Sequence, residues 1–530
     1  MAESIMKMNL RGIRRPVICA VIPLIASCSS FPRPGISMPG GRSFYSVNSF
    51  GTVGDGKHLD QNAINDAIAA CSHAGGGTVL VPSGTYLCGS IHLASNVNLS
   101  LDPGATILGA QQDSNAYDHE EPFDGKPSQD EGHTYFHNSL IWGENLTNVS
   151  ITGRGTINGG GLVAHTDGDH GNKSIALKSC NNVLIRDITI AHGGWFAILA
   201  TGVNLLTLDN LTIDTNRDGI DLDCCQNTTV SNCRVNSPTD DAIVPKSTLA
   251  LGYPVITQNM TITNCQVSGY REGTLIDGSM KFNKGGTGRI KFGTESTGGF
   301  RNITVSNCTF NDCHGLALEE VDAGTLENFT ISNLSMNRVI DYPIFIRLGD
   351  RHRGSSPASE SVLKNVLITD VIATGIDRMS GIQITGLEDR PIQGVRLQNI
   401  RMTFNGHGSR KDAYHNPPEL RTDYPEPSNF GVMPAYGLYA RHVKDLEISD
   451  VHFDLKSPDR RPAMVCEDVD GLQIDDMQAK LAEGVVPAWF YRVSDVTVRN
   501  SPQFVNVPTT RPTSQPTNQP STEPATERAE

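Results

Sequence analysis

Asn302-Ile303-Thr304-Val305-Ser306-Asn307-Cys308 is rewritten further on as Asn328-Phe329-Thr330-Ile331-Ser332-Asn333-Leu334. Upstream copies are Asn148-Val149-Ser150-Ile151-Thr152-Gly153, Asn182-Val183-Leu184-Ile185 and Asn227-Thr228-Thr229-Val230-Ser231-Asn232-Cys233. Downstream the phrase becomes Asn365-Val366-Leu367-Ile368, Asp445-Leu446-Glu447-Ile448 and Gly471-Leu472-Gln473-Ile474. Apolar residues alternate as in a strand, and Asn or Gly mark the corners. Copies recur at roughly 22 residues or more, too short for a propeller blade of about 40–50, and without the periodicity of helical repeats. A parallel β-helix fits, with each strand about 4.8 Å from its equivalent on the next coil. The repeats and their flanks place an all-β solenoid domain over residues 46–505. One helix is predicted around residues 62–70, with Asp60 as N-cap and Gly75 to Gly77 as the stop, closing the open end of the coil.

The 530 residues carry a net charge of −14 and a pI near 5.5. No basic stripe is present to release phosphate counterions, so nucleic acid is excluded as a partner, whereas an anionic polysaccharide needs only a locally basic cleft. Arg11, Arg14 and Arg15 precede a short apolar run that ends in Leu24-Ile25-Ala26-Ser27-Cys28. This reads as a lipoprotein-type signal peptide over 1–28, with Cys28 as the lipidated residue and 29–45 as a tether. An ordinary signal peptide with an incidental Cys28 is the competing reading. The expected location is the bacterial periplasm or outer membrane, with a lipid anchor at Cys28 as the only membrane attachment. Residues 506–530, rich in Pro and Thr, read as a disordered tail. Cys233, Cys265 and Cys308 each follow an Asn and read as inward thiols stacked on successive coils rather than a disulfide framework or metal site. A monomer without metal or cofactor is expected.

Two acidic clusters stand about one coil apart: Asn216-Arg217-Asp218-Gly219-Ile220-Asp221 and Thr239-Asp240-Asp241-Ala242-Ile243. Stacking brings Asp218, Asp240 and Asp241 onto one wall, where like charges raise one another's pKa and acid/base hydrolysis becomes available. Asp240 and Asp241 share that wall only if the strand bends, and Pro238 is compatible with a bend. The plain alternative is that aspartates cap turns, which is the reading preferred for Asp221 and Asp223.

Phe50-Gly51-Thr52-Val53-Gly54-Asp55-Gly56 and Gly76-Gly77-Thr78-Val79-Leu80-Val81-Pro82-Ser83-Gly84-Thr85-Tyr86 resemble the opening of the pectin-degrading β-helix enzymes. Asn216-Arg217-Asp218 is similar to the Asn-Thr-Asp motif of glycoside hydrolase family 28, the polygalacturonase family, and Asp240-Asp241 with Lys246 to its Asp-Asp segment. The resemblance implies a right-handed, pectin-lyase-like solenoid and inverting hydrolysis. Asp240 would be the general acid, and Asp218 with Asp241 would activate water.

The family's Gly-His-Gly should fall near Gly288-Arg289-Ile290-Lys291, where no His stands. In the register of its Arg-x-Lys clamp both cations are gone, replaced by Ala317 and Glu319. Asn216, Lys246, Arg289, Lys291, Glu295, Glu319 and Arg347 are therefore the candidate sugar-binding residues, with a surface ion pair as the alternative for Lys291 and Glu295. His192 and His314 read as structural. Insertions around 111–138, 280–287 and 405–435 would wall one end of the cleft and favour cutting from a chain end. The resemblance implies an exported glycoside hydrolase acting on α-linked, galacturonic-acid-containing pectic or rhamnogalacturonan chains. A calcium-using β-helix lyase and a non-catalytic carbohydrate-binding β-helix are the alternatives.

Overall fold

A computed structural model describes residues 43–125, 130–162, 171–353 and 359–510. The leader with Cys28, most of the tether and the end of the tail lie outside the described residues. The strands pair in parallel, each with its equivalent on the next coil, as a right-handed parallel β-helix requires. One sheet runs from Ile91–His92 through Ile141–Glu144, Ile175–Lys178, Ile198–Thr201 and Ile220–Asp223 to Ile243–Lys246. Its register aligns Ile175, Ile198, Ile220 and Ile243 in the core. With a period of two, the neighbouring row of Ala176, Leu199, Asp221 and Val244 faces outward.

The recurring asparagines are the corners. Asn148, Asn182, Asn227, Asn259, Asn302, Asn328 and Asn365 all have positive φ, which Asn tolerates better than most residues. Their side-chain amides also stack, Asn259 donating to Asn227, Asn302 to Asn259, Asn328 to Asn302 and Asn365 to Asn328. One corner departs from this. Leu205 holds φ 56° while exposed, and its neighbour Asn204 carries the ladder by donating to Asn181 and accepting from Asn227.

The capping helix spans Gln61–His73 and buries Ile64, Ala67, Ile68 and Cys71. Asp60 takes the N-cap position, as expected, but its carboxylate does not bond the helix; it accepts from the backbone N–H of Val53 and Gly54, at 2.7 and 3.0 Å. The side chain leaves the helix because the turn at 53–54, folded back beside it, offers two donors. Every cysteine among the described residues is buried and free, and the coil register places Cys265 opposite Cys308.

Candidate active site

Asp218 lies just before the strand Ile220–Asp223, and Asp241 just before its partner Ile243–Lys246. The pairing of Ile220 with Ile243 sets them opposite each other, and the Asp241 N–H donates to Asp218 Oδ1 at 3.2 Å. Asp240 and Asp241 belong to the turn between strands rather than to a bent strand. Ser237 Oγ donates to the Asp240 carbonyl at 2.9 Å, and Gly288 N–H donates to it at 3.0 Å. Asp218, Asp240 and Asp241 each offer a carboxylate oxygen within 4.8 Å of the others.

Their environments differ. The Asp240 side chain is 32% exposed, against 2% for Asp218 and 3% for Asp241. Burial and the charge of Asp240 push the Asp218 carboxyl well above the usual range. Burial also opposes ionisation of Asp241, but the charges of Arg289 and Lys291 outweigh it and hold that carboxyl low. Arg289 Nε reaches Asp241 Oδ1 at 2.5 Å, and Lys291 Nζ lies 3.7 Å from Oδ2. Asp218 is thus biased toward its protonated form and Asp241 toward its ionised form.

Other residues complete the wall. Arg217 Nη2 donates to Asp240 at 3.2 Å and to Asp130 at 3.0 Å, and its guanidinium lies 4.1 Å over the Trp195 ring. Trp195 precedes Ile198 as Arg217 precedes Ile220, so the coil register stacks them. Lys246 lies between Asp221 at 3.5 Å and Glu295 at 3.6 Å. Asp223 takes the turn-capping role, accepting from the backbone N–H and hydroxyl of Thr248. Asp221 does not: it faces outward and meets His133 Nε2 at 2.9 Å, wholly buried under the 111–138 insertion. Burial and Lys246 lower the His133 pKa, yet the charge and hydrogen bond of Asp221, with Asp130, lift it to about 9.

The later insertion reaches the same centre. Glu426 grips Arg289 through both guanidinium nitrogens at 3.2 Å, and Tyr424 Oη lies 3.2 Å from Lys291 Nζ and 3.1 Å from the Thr294 hydroxyl. Arg289 also donates to the Tyr342 hydroxyl. His314 sits beside this group, 3.4 Å from Asp341 and 4.0 Å from Glu426, and burial together with Arg289 lowers its pKa to about 4. On the opposite flank, His192 Nδ1 meets Glu272 at 2.8 Å, and with Asn216 they line a cavity of about 440 Å³.

Three sequence expectations change here. Arg347 is wholly buried and does not face a sugar; it donates to the carbonyls of Glu419 and Leu420 and so fastens the 405–435 loop. Glu319 is sealed beneath Lys291 and Thr294 and presents nothing to the cleft. Lys291 and Glu295 are no surface pair, since both are buried and each is paired elsewhere. Of the residues the sequence did not single out, Trp195 was open to detection through its coil offset from Arg217. Asp130, His133 and Tyr342 carried no such signal.

A family model described as rhamnogalacturonase A/epimerase, pectate lyase-like matches residues 44–340. A probable polygalacturonase of Vitis vinifera is 25% identical over 384 residues, covering 67% of this chain and 73% of its own. An exopolygalacturonase structure from Thermotoga maritima superposes with TM-score 0.54 at 20% identity, covering 70% of this chain and 89% of that one. A family 28 exopolygalacturonase from Yersinia enterocolitica gives TM-score 0.53 at 17% identity, covering 87% and 78%. The chain belongs to the rhamnogalacturonase A/epimerase, pectate lyase-like family and is a polygalacturonase-like glycoside hydrolase.

Proposed function

We propose that this chain cleaves α-linked, galacturonic-acid-containing pectic chains by inverting acid/base hydrolysis, working from a chain end. The observation that carries the reading is the unequal burial of three carboxyl groups whose oxygens lie within 4.8 Å. Asp240, the open one, enters the step protonated, meets the glycosidic oxygen and gives it that proton as the bond breaks, leaving a carboxylate that Arg217 holds. Asp241, kept ionised by Arg289 and Lys291, takes a proton from the attacking water, whose oxygen bonds to the anomeric carbon. Asp218, expected beside Asp241 as a water activator, instead has its carboxyl shifted upward by burial and the charge of Asp240, and it accepts from the Asp241 backbone N–H.

A carboxyl spacing this short, taken alone, suits a retaining pair at about 5–5.5 Å better than an inverting one. Inversion is favoured because Asp241 is buried and pinned by two cations, a setting for water activation rather than for attack on carbon. Action from an end is supported by the 405–435 loop, which sets Glu426 on Arg289 and Tyr424 on Lys291 at the centre, with a cavity beside Asn216.

The test is release of sugars from a panel of pectic oligosaccharides by wild type and by Asp240→Asn, with the product anomer followed by NMR. Equal release by both proteins, or none by either, removes the hydrolase reading. Retained anomeric configuration removes inversion alone. Export with a lipid on Cys28 belongs to the same proposal, and loss of fatty-acid labelling in Cys28→Ser would support it.

A further inference from the structure

We propose that Glu426 is a positioning residue for the base Asp241, acting through the Arg289 guanidinium that the two carboxylates share. The inference rests on the hydrolase reading and deepens it, since a residue 137 positions beyond Arg289 then sets the strength of the base.

A buried general base meets two opposing demands. It must be ionised before the water arrives, and it must still bind the water's proton strongly enough to draw it away. Arg289 and Lys291 serve the first demand and work against the second, because a carboxylate pinned by two cations is a weak base. Each of these cations is divided between Asp241 and a second acid. Lys291 Nζ lies 3.7 Å from Asp241 and 3.6 Å from Glu319. Arg289 gives Nε to Asp241 and its two terminal nitrogens to the two oxygens of Glu426. A cation shared in this way lowers the proton affinity of Asp241 less than one given to it alone.

The bridge also fixes direction. A guanidinium is planar, and one held at Nε by one carboxylate and at both ends by another keeps its Nε–H aimed at Asp241. The two second acids differ in origin. Glu319 belongs to the strand Leu316–Glu320 and is sealed, so its offset is built into the coil. Glu426 precedes the short turn Pro427–Phe430 and is delivered by the loop that Arg347 and Arg441 tie down through the carbonyls of Glu419, Leu420, Pro417 and Pro418. The remaining groups facing the bridge are the Tyr342 hydroxyl, which accepts from Arg289, and His314, whose Nδ1 lies 4.0 Å from Glu426 and whose Nε2 lies 3.4 Å from Asp341. Burial and Arg289 lower the His314 pKa to about 4, while burial and Asp377 lift Asp341 to about 6.

The test follows initial rates on the pectic oligosaccharide panel from about pH 3 to 7. Glu426→Gln leaves the charge of Arg289 to Asp241 alone. Its plateau kcat should fall about three- to tenfold with little change in KM, and the acidic limb of its kcat/KM profile should move down by about one pH unit. A merely structural role predicts the opposite shift, because a loosened fold loses activity in acid sooner. Glu426→Asp keeps the charge and should return the limb to its wild-type position. The shift should persist in a His314→Gln background, which removes the neighbouring imidazole. In an Arg289→Gln background, where the bridge is gone, Glu426→Gln should change kcat by less than about twofold. A limb that stays or moves to higher pH, one that Glu426→Asp leaves displaced, or a full loss of kcat without Arg289 overturns the inference even when hydrolysis proceeds. Absence of turnover by wild type on the whole panel instead removes the hydrolase reading on which the inference stands.

Discussion

The main-chain N–H of Asp241 donates to Oδ1 of Asp218, so the acid of one coil is tied to the backbone of the next. Asp218→Asn keeps that acceptor but removes the titrating group. Catalysis should fall by about 10²–10⁴ in kcat, read on pectic oligosaccharides. Stability should move the other way. A carboxyl whose folded pKa is raised binds its proton more tightly in the folded state, so it takes stability away as pH rises above 3.8 through its elevated value. Asp218→Asn should therefore melt higher than wild type at neutral pH, with the gap closing in acid.

His133 makes a contribution of opposite sign. Its pKa is lifted from 6.5 to about 9 by Asp221. The stability this supplies, on the order of 3 kcal/mol, is complete below pH 6.5 and is lost as pH rises through 9. Melting temperatures followed from pH 6 to 9.5 should fall in wild type and run flatter in His133→Gln. Equal slopes would show that the buried pair does not titrate.

Arg347 reaches the 405–435 loop through the backbone carbonyls of Glu419 and Leu420. Arg347→Met should free the loop at a cost of about 2–4 kcal/mol, since buried carbonyls lose charged donors. Limited proteolysis should then cut near Glu419–Leu420 before any other described segment. Because the loop carries Tyr424 and Glu426, the variant should also lose bias for chain ends.

Leu205 occupies a left-handed corner with its side chain exposed. Leu205→Asn should stabilise the protein by about 0.5–1 kcal/mol, because asparagine takes that backbone conformation at lower cost. Urea midpoints decide this, and no gain would mean that Leu205 makes a compensating contact.

What could be read from the sequence was whatever the coil repeats. Asn302 and Asn328 announce a corner because the same strain recurs at the same phase, and the offset of Asp218 from Asp241 is one coil. Arg289 and Lys291 were legible as cations near the centre, but their neutralisation was not. Glu426 arrives from an insertion with no periodicity, and so do His133 and Asp130. Arg347 was misread because its row faces outward, and only the loop above it turns that face into an interior. Asp60 was legible as the N-cap, but not that its carboxylate would serve a backbone turn folded back against it.

The asparagine ladder has a direction. Each amide donates toward the coil before it, as Asn302 does to Asn259 and Asn365 to Asn328. An emerging turn thus finds its acceptor on chain that has already left the ribosome, and the spine can lengthen in the order of synthesis without waiting for distant sequence.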